Sequence, residues 1–125
     1  MKWGASAPHS PFSARVQNNV RMDSICDDLH AEHLALDVLV ADLTEAQWSL
    51  ATPAAEWSIR DQISHLWFFD QRAALALRDP DEFAADMHRL LAAGGTKASV
   101  EPGRRMSGTE LLAAWRADRN DLIAL

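Results

Sequence analysis

From Asp23 to Leu125, apolar residues return every three to four positions, and no segment alternates cleanly between apolar and polar over four to eight residues. That period belongs to helices packed by one face and leaves no strand to build a sheet. Between 23 and 43 the stripe is Ile25, Leu29, Leu36, Leu39, Val40 and Leu43. At about 100° per residue these fall within roughly one third of the helix circumference. Between 58 and 78 the stripe is Ile59, Ile63, Leu66, Trp67, Ala73, Ala74 and Leu77, with Phe68 and Phe69 off it. A helix apolar around most of its girth should be central.

Local chemistry places the ends of these helices. Asp23 and Ser24 can accept from free amides at the start of the first, and Pro53 bars its continuation past Trp48. Ser58-Ile59-Arg60-Asp61 and Ser107-Gly108-Thr109-Glu110 read as capping boxes. Asp79-Pro80-Asp81-Glu82 opens a short helix with the face Phe83, Met87, Leu90 and Leu91, and Gly94-Gly95 stop it. Residues 94–106 read as a loop, and the last helix carries Leu111, Leu112, Trp115, Leu122 and Ile123. The spacing therefore predicts helices near 23–43, 58–78, 80–93 and 107–125 in an all-α bundle. Its core is expected to hold Leu29, Leu36, Val40, Ile59, Ile63, Leu66, Trp67, Leu77, Leu111 and Trp115. The last stripe runs to Leu125 without a glycine or basic cap, so the bundle is expected to be truncated before its last helix. An open apolar groove beside Leu112, Trp115 and Ile123, and self-association through it, would follow.

A chain of 125 residues supports one domain. Residues 1–21 hold Lys2, Arg15 and Arg21 with no acid, are rich in Ser, Pro, Ala and Asn, and read as a disordered N-terminal extension. The domain proper is expected over 22–125, where 9 basic face 18 acidic groups. That acidic balance argues against a nucleic-acid footprint, and no run approaches the ~18 apolar residues of a membrane span. The single Cys26 forms no internal disulfide, so a reducing cytoplasm is the expected compartment. Asp27 and Asp28 beside it disfavour a thiolate.

Few residues suggest chemistry. Glu32 and Asp70 lie inside apolar stripes, where an unpaired charge is costly. Either faces a core, where bundles build metal sites, or a small rotation carries it to the rim. His65 lies among Trp67, Phe68 and Phe69, as a metal ligand or a hydrogen-bonded core residue. His30 and His33 read as surface or rim residues, His9 falls in the extension, and His88 faces outward.

The stretch Thr52-Pro53-Ala54-Ala55-Glu56-Trp57-Ser58-Ile59-Arg60-Asp61-Gln62-Ile63-Ser64-His65-Leu66 resembles the entry to the second helix of the DinB-like superfamily. The resemblance is closest to the metal-binding domain of the mycothiol-dependent maleylpyruvate isomerase type. Phe69-Asp70, Asp79-Pro80 and Leu111-Leu112-Ala113-Ala114-Trp115-Arg116 resemble an actinobacterial branch of it. It implies a four-helix bundle that holds a divalent metal, zinc before nickel, through three protein ligands. His65 matches the first. The others would come from a later helix, beyond Leu125, as a carboxylate or histidine followed four residues on by a histidine. Glu32 and Asp70 match no ligand position, and the resemblance leaves them a supporting role behind the ligands. Metal-bound histidine usually has its second ring nitrogen held by an acceptor, and the same is expected of His65. The implied activity is that of a metal- and mycothiol-dependent isomerase or transferase, in which a low-molecular-weight thiol attacks a small electrophile. The alternative is a non-catalytic helical module that binds a partner helix through its open apolar face.

Overall fold

Three reciprocal caps fix where helices begin. Ser58 Oγ accepts from the Asp61 amide at 3.2 Å while Asp61 Oδ2 accepts from the Ser58 amide at 3.0 Å. Ser107 and Glu110 repeat the exchange at 3.1 Å in each direction. Thr44 and Gln47 make a third box, not anticipated from the sequence. Each box satisfies amides that a helix start leaves without partners.

The computed structural model describes the backbone of residues 11–125 and the side chains of residues 24–125. Its α-helices are α1 (Pro11–Val40), α2 (Glu45–Trp48), α3 (Ile59–Arg78), α4 (Pro80–Ala92), α5 (Glu101–Arg104) and α6 (Gly108–Ala124). A 3₁₀ turn, Gly95–Ser99, lies between α4 and α5. Among the described residues there is no strand, only one isolated bridge between Ala51 and Ser58, so the class is all-α as predicted. No described helix is long and apolar enough to cross a membrane.

Two boundaries need correction. α1 starts at Pro11, not near Asp23, so residues 11–21 have helical backbone where a disordered extension was expected. Proline is tolerated in a first helical turn, and Phe12–Met22 contains no glycine or proline to stop propagation back from Asp23. The rest of that expected extension, residues 1–10, lies outside the described residues. The span 94–106 is not a plain loop. Gly94, at φ 106°, ends α4 in the left-handed region, and the chain then coils into the 3₁₀ turn and α5.

α3 is the central element, packed against α4, α5, α6 and the 3₁₀ turn. The core is Val40, Trp48, Ile63, Leu111, Leu112 and Trp115, with Leu111 and Trp115 at zero exposure. Leu36, Ile59, Leu66 and Trp67 are partly buried against it. Leu77, expected in the core, is 62% exposed, whereas Ala74 one turn earlier is buried. On α1, Ile25 and Leu39 are exposed and Leu29 only half-buried, because the helix turns a different face inward. Of the three residues expected to line an open groove, Leu112 and Trp115 are buried in the core and Ile123 is partly buried.

This burial pattern predicts unequal costs. Leu111→Ala should lower unfolding free energy by about 2–5 kcal/mol, whereas Leu77→Ala should change it by less than about 0.5 kcal/mol. Urea unfolding of the two variants beside wild type checks the ranking.

Candidate functional site

His65 sits on the side of α3 that faces the 3₁₀ turn. Its ring packs between Trp57, at 5.1 Å between centroids, and Phe69, at 4.8 Å. Trp57 is brought there by a tight return: the Thr52 amide donates to the Trp57 carbonyl at 3.0 Å and the Ile59 amide to the Leu50 carbonyl at 3.0 Å. The Nδ1 atom of His65 lies 2.9 Å from Ser99 Oγ, which supplies the partner expected for one ring nitrogen. Burial pushes the imidazole below the usual histidine range, toward the neutral form that a metal ligand requires.

The 3₁₀ turn is tied to α3 from below. Ser64 Oγ donates to the Ser99 carbonyl at 2.7 Å and accepts from the Gly103 amide at 3.0 Å. Ser64 and Ser99 have no exposed surface. Gly103 permits this approach: a Cβ there would stand 2.3 Å from Ser64 Cβ.

A second polar cluster lies where α1, α3 and α6 meet. Asp70 Oδ2 accepts from the Trp115 indole at 3.2 Å and lies 3.4 Å from His33 Nε2. Arg119 stacks over the Trp115 ring, with its guanidinium carbon 4.5 Å from the centroid, and reaches Asp37 at 2.7 Å. Arg116 grips the same Asp37 with two bonds of 2.7 Å. Nearby, Asp118 accepts from the Trp67 indole at 2.6 Å and from Gln71 at 2.9 Å. The Arg116 bonds hold the Asp37 carboxyl at about 2, despite the opposing effect of burial. Burial pushes Asp70 above and His33 below their ordinary values.

The predicted residues thus fall apart. His65 and Asp70 are five residues apart on one helix, so they point about 140° from each other. Glu32, which the sequence left open between core and rim, is exposed, because α1 turns His33, Asp37 and Val40 inward. His33, read as a rim residue, is 5% exposed. The signal that marks this cluster is charge at helical spacing: His33 and Asp37 at i, i+4 on α1, and Arg116 and Arg119 at i, i+3 on α6. A cleft of about 430 Å³ between α3, α4 and α6 is lined by Gln71, Arg72, Asp86 and Asp118 among others, but not by His65. Among the described residues no three His, Cys, Asp or Glu side chains gather closely enough to hold a metal. His65 is therefore not part of a complete metal site among the described residues.

Comparison with known proteins adds a family and relatives. The family described as Mycothiol maleylpyruvate isomerase N-terminal domain matches residues 29–124, a span that includes His65, Asp70 and Ser99. Two uncharacterized proteins, from two strains of Mycobacterium tuberculosis, are each 39% identical over 97 residues. That is 76% of this chain but 38% of either relative, so the chain spans well under half of their length. No solved structure matches.

The polar cluster predicts an acid response. Asp37 has a folded value below its ordinary 3.8, so its contribution is complete above 3.8 and lost as pH falls toward about 2. His33, lowered from 6.5, contributes fully above 6.5 and loses that contribution as pH falls through its folded value. Asp37→Asn should cost about 3–5 kcal/mol at neutral pH, because it leaves the buried Arg119 uncompensated. It should also flatten the acid limb below pH 3.8, and His33→Gln the limb just below 6.5. Urea midpoints measured from pH 7.5 to 2.5 test both.

Proposed function

Because this chain belongs to the mycothiol maleylpyruvate isomerase N-terminal domain family, we propose that it presents one metal ligand, His65, in a mycothiol-dependent isomerase or transferase. The observation that carries this reading is the setting of His65. One ring nitrogen is anchored to Ser99, burial favours the neutral ring, and two aromatic rings fix its plane. A catalytic zinc site draws three ligands from the protein and leaves one position open. The described residues offer one, so the other two are assigned to parts of the whole protein outside these 125 residues.

A divalent ion held there, zinc in the first instance, would stabilise the thiolate of mycothiol or of another low-molecular-weight thiol for attack on a small electrophile. The part of this chain is to hold His65 still. α3 supplies a rigid backbone, and Trp57 and Phe69 shield the ring from water. Glu32 is exposed on α1, and Asp70 is taken up by Trp115 and His33 about 140° around α3 from His65, so this reading gives neither a part in holding the ion. A reducing cytoplasm, where low-molecular-weight thiols are maintained, suits this chemistry.

A second reading has its own support. Ile25, Leu39 and Leu77 belong to helical apolar stripes yet are more than half exposed. Such surface suits a non-catalytic module that binds a partner helix, or a second copy of the chain.

Calorimetric titration with zinc separates the two. The 125-residue chain should bind weakly, and His65→Ala should abolish that binding. The whole protein should bind one equivalent tightly and lose it with the same substitution. Tight stoichiometric binding that persists in His65→Ala overturns the ligand assignment, and a whole protein that binds no zinc sinks the metal reading and leaves the interaction module.

A further inference from the structure

We propose that Ser99 is the positioning residue that fixes the proton of His65 on Nδ1 and so presents the Nε2 lone pair. This rests on the ligand role proposed for His65, but the proton assignment stands on geometry alone. Ser99 Oγ lies 2.5 Å from the Thr96 carbonyl, and a carbonyl oxygen can only accept. The single hydroxyl proton of Ser99 is therefore committed to Thr96. Toward His65, 2.9 Å away, the same oxygen can only accept, so the imidazole must donate from Nδ1. In the neutral ring the other nitrogen then carries the lone pair.

The arrangement is enforced from both sides of Ser99. Its carbonyl is engaged by the hydroxyl proton of Ser64, whose oxygen is in turn held by the Gly103 amide. The Ser64 link runs from the Gly103 amide to the Ser99 carbonyl and holds the residue in place, and the Ser99 hydroxyl link ends at the Thr96 carbonyl, which fixes its direction. Ser64 and Ser99 have no solvent exposure, so water does not compete for these bonds. The 3₁₀ turn Gly95–Ser99 thus has a task beyond linking α4 to α5. It brings a hydroxyl with a pre-committed proton to the ring of a residue 34 positions earlier.

The test reads the tautomer directly and needs no bound metal. Heteronuclear NMR of the imidazole nitrogens, recorded well above the titration of His65, should show protonated Nδ1 and lone-pair Nε2 in the wild-type chain. Ser99→Ala should remove that bias. It should also weaken His65-dependent zinc binding, followed by the shifts of the same nitrogens, by about 10- to 100-fold. A wild-type ring protonated on Nε2 overturns the proposal whether or not Ser99→Ala folds. A tautomer unchanged by Ser99→Ala overturns the role of Ser99. If the Nδ1–H tautomer depends on Ser99 while zinc leaves the His65 nitrogens unmoved in both the chain and the whole protein, the positioning role stands and the metal reading fails.

Discussion

The carboxylate of Asp70 is the point at which three helices meet. It is carried by α3, takes the indole N–H of Trp115 from α6, and faces the imidazole of His33 from α1. Trp115 is fully buried and is itself capped by the Arg119 guanidinium, which reaches on to Asp37. α1 therefore docks through polar groups as much as apolar ones. Such docking is sensitive to every member: a buried network left half-satisfied costs more than an apolar contact of the same size. The buried Nδ1 of His33 has no hydrogen-bond partner. A proton added there would be a buried donor with no acceptor, which agrees with the neutral state that burial imposes.

The starts of α3 and α6 were legible because they are written within four residues. Ser58 with Asp61, and Ser107 with Glu110, satisfy each other locally, and the structure shows both pairs bonded as read. The central place of α3 was legible from its girth of apolar residues. The inward face of α1 was not. Its leucines draw a stripe around Leu29, Leu36 and Leu39, but its partner surface on α6 offers Arg116 and Arg119, so the helix turns His33 and Asp37 toward them. A pattern that counts only apolar residues cannot register a contact made by charge. The same holds for 94–106, whose order comes from bonds to Ser64, 35 and 39 residues away in sequence.

His65 was found by motif, and its setting was only half foreseen. Spacing could say that the ring lies off the main stripe, and the resemblance could say that a second nitrogen needs a partner. Neither could name Ser99, which sits in a segment with no periodic signal. Asp61 is a comparable case. As the third residue of a capping box it was read as a local group, yet it also receives Arg104 at 3.0 Å and 3.3 Å. Burial opposes its ionisation, but the Arg104 and Ser58 bonds outweigh that and hold the carboxyl below its ordinary value. One side chain thus starts α3 and anchors the end of α5.

α3 divides its duties by angle. Toward α1 and α6 it offers Asp70, Ile63 and Trp67, the groups that hold the bundle together. About 140° around, it offers His65 to the 3₁₀ turn. Ser64, beside His65, clamps the same turn and the α5 segment that follows it. The separation has a mechanical consequence. The polar cluster connects to His65 through the helix backbone, while the ring packs on Ser99, Trp57 and Phe69, whose side chains take no part in the bonds of Asp70, His33 or Arg119. Loss of the α1 docking bonds therefore lowers stability without turning the imidazole, and loss of the Ser99 hydroxyl turns the imidazole without undocking α1.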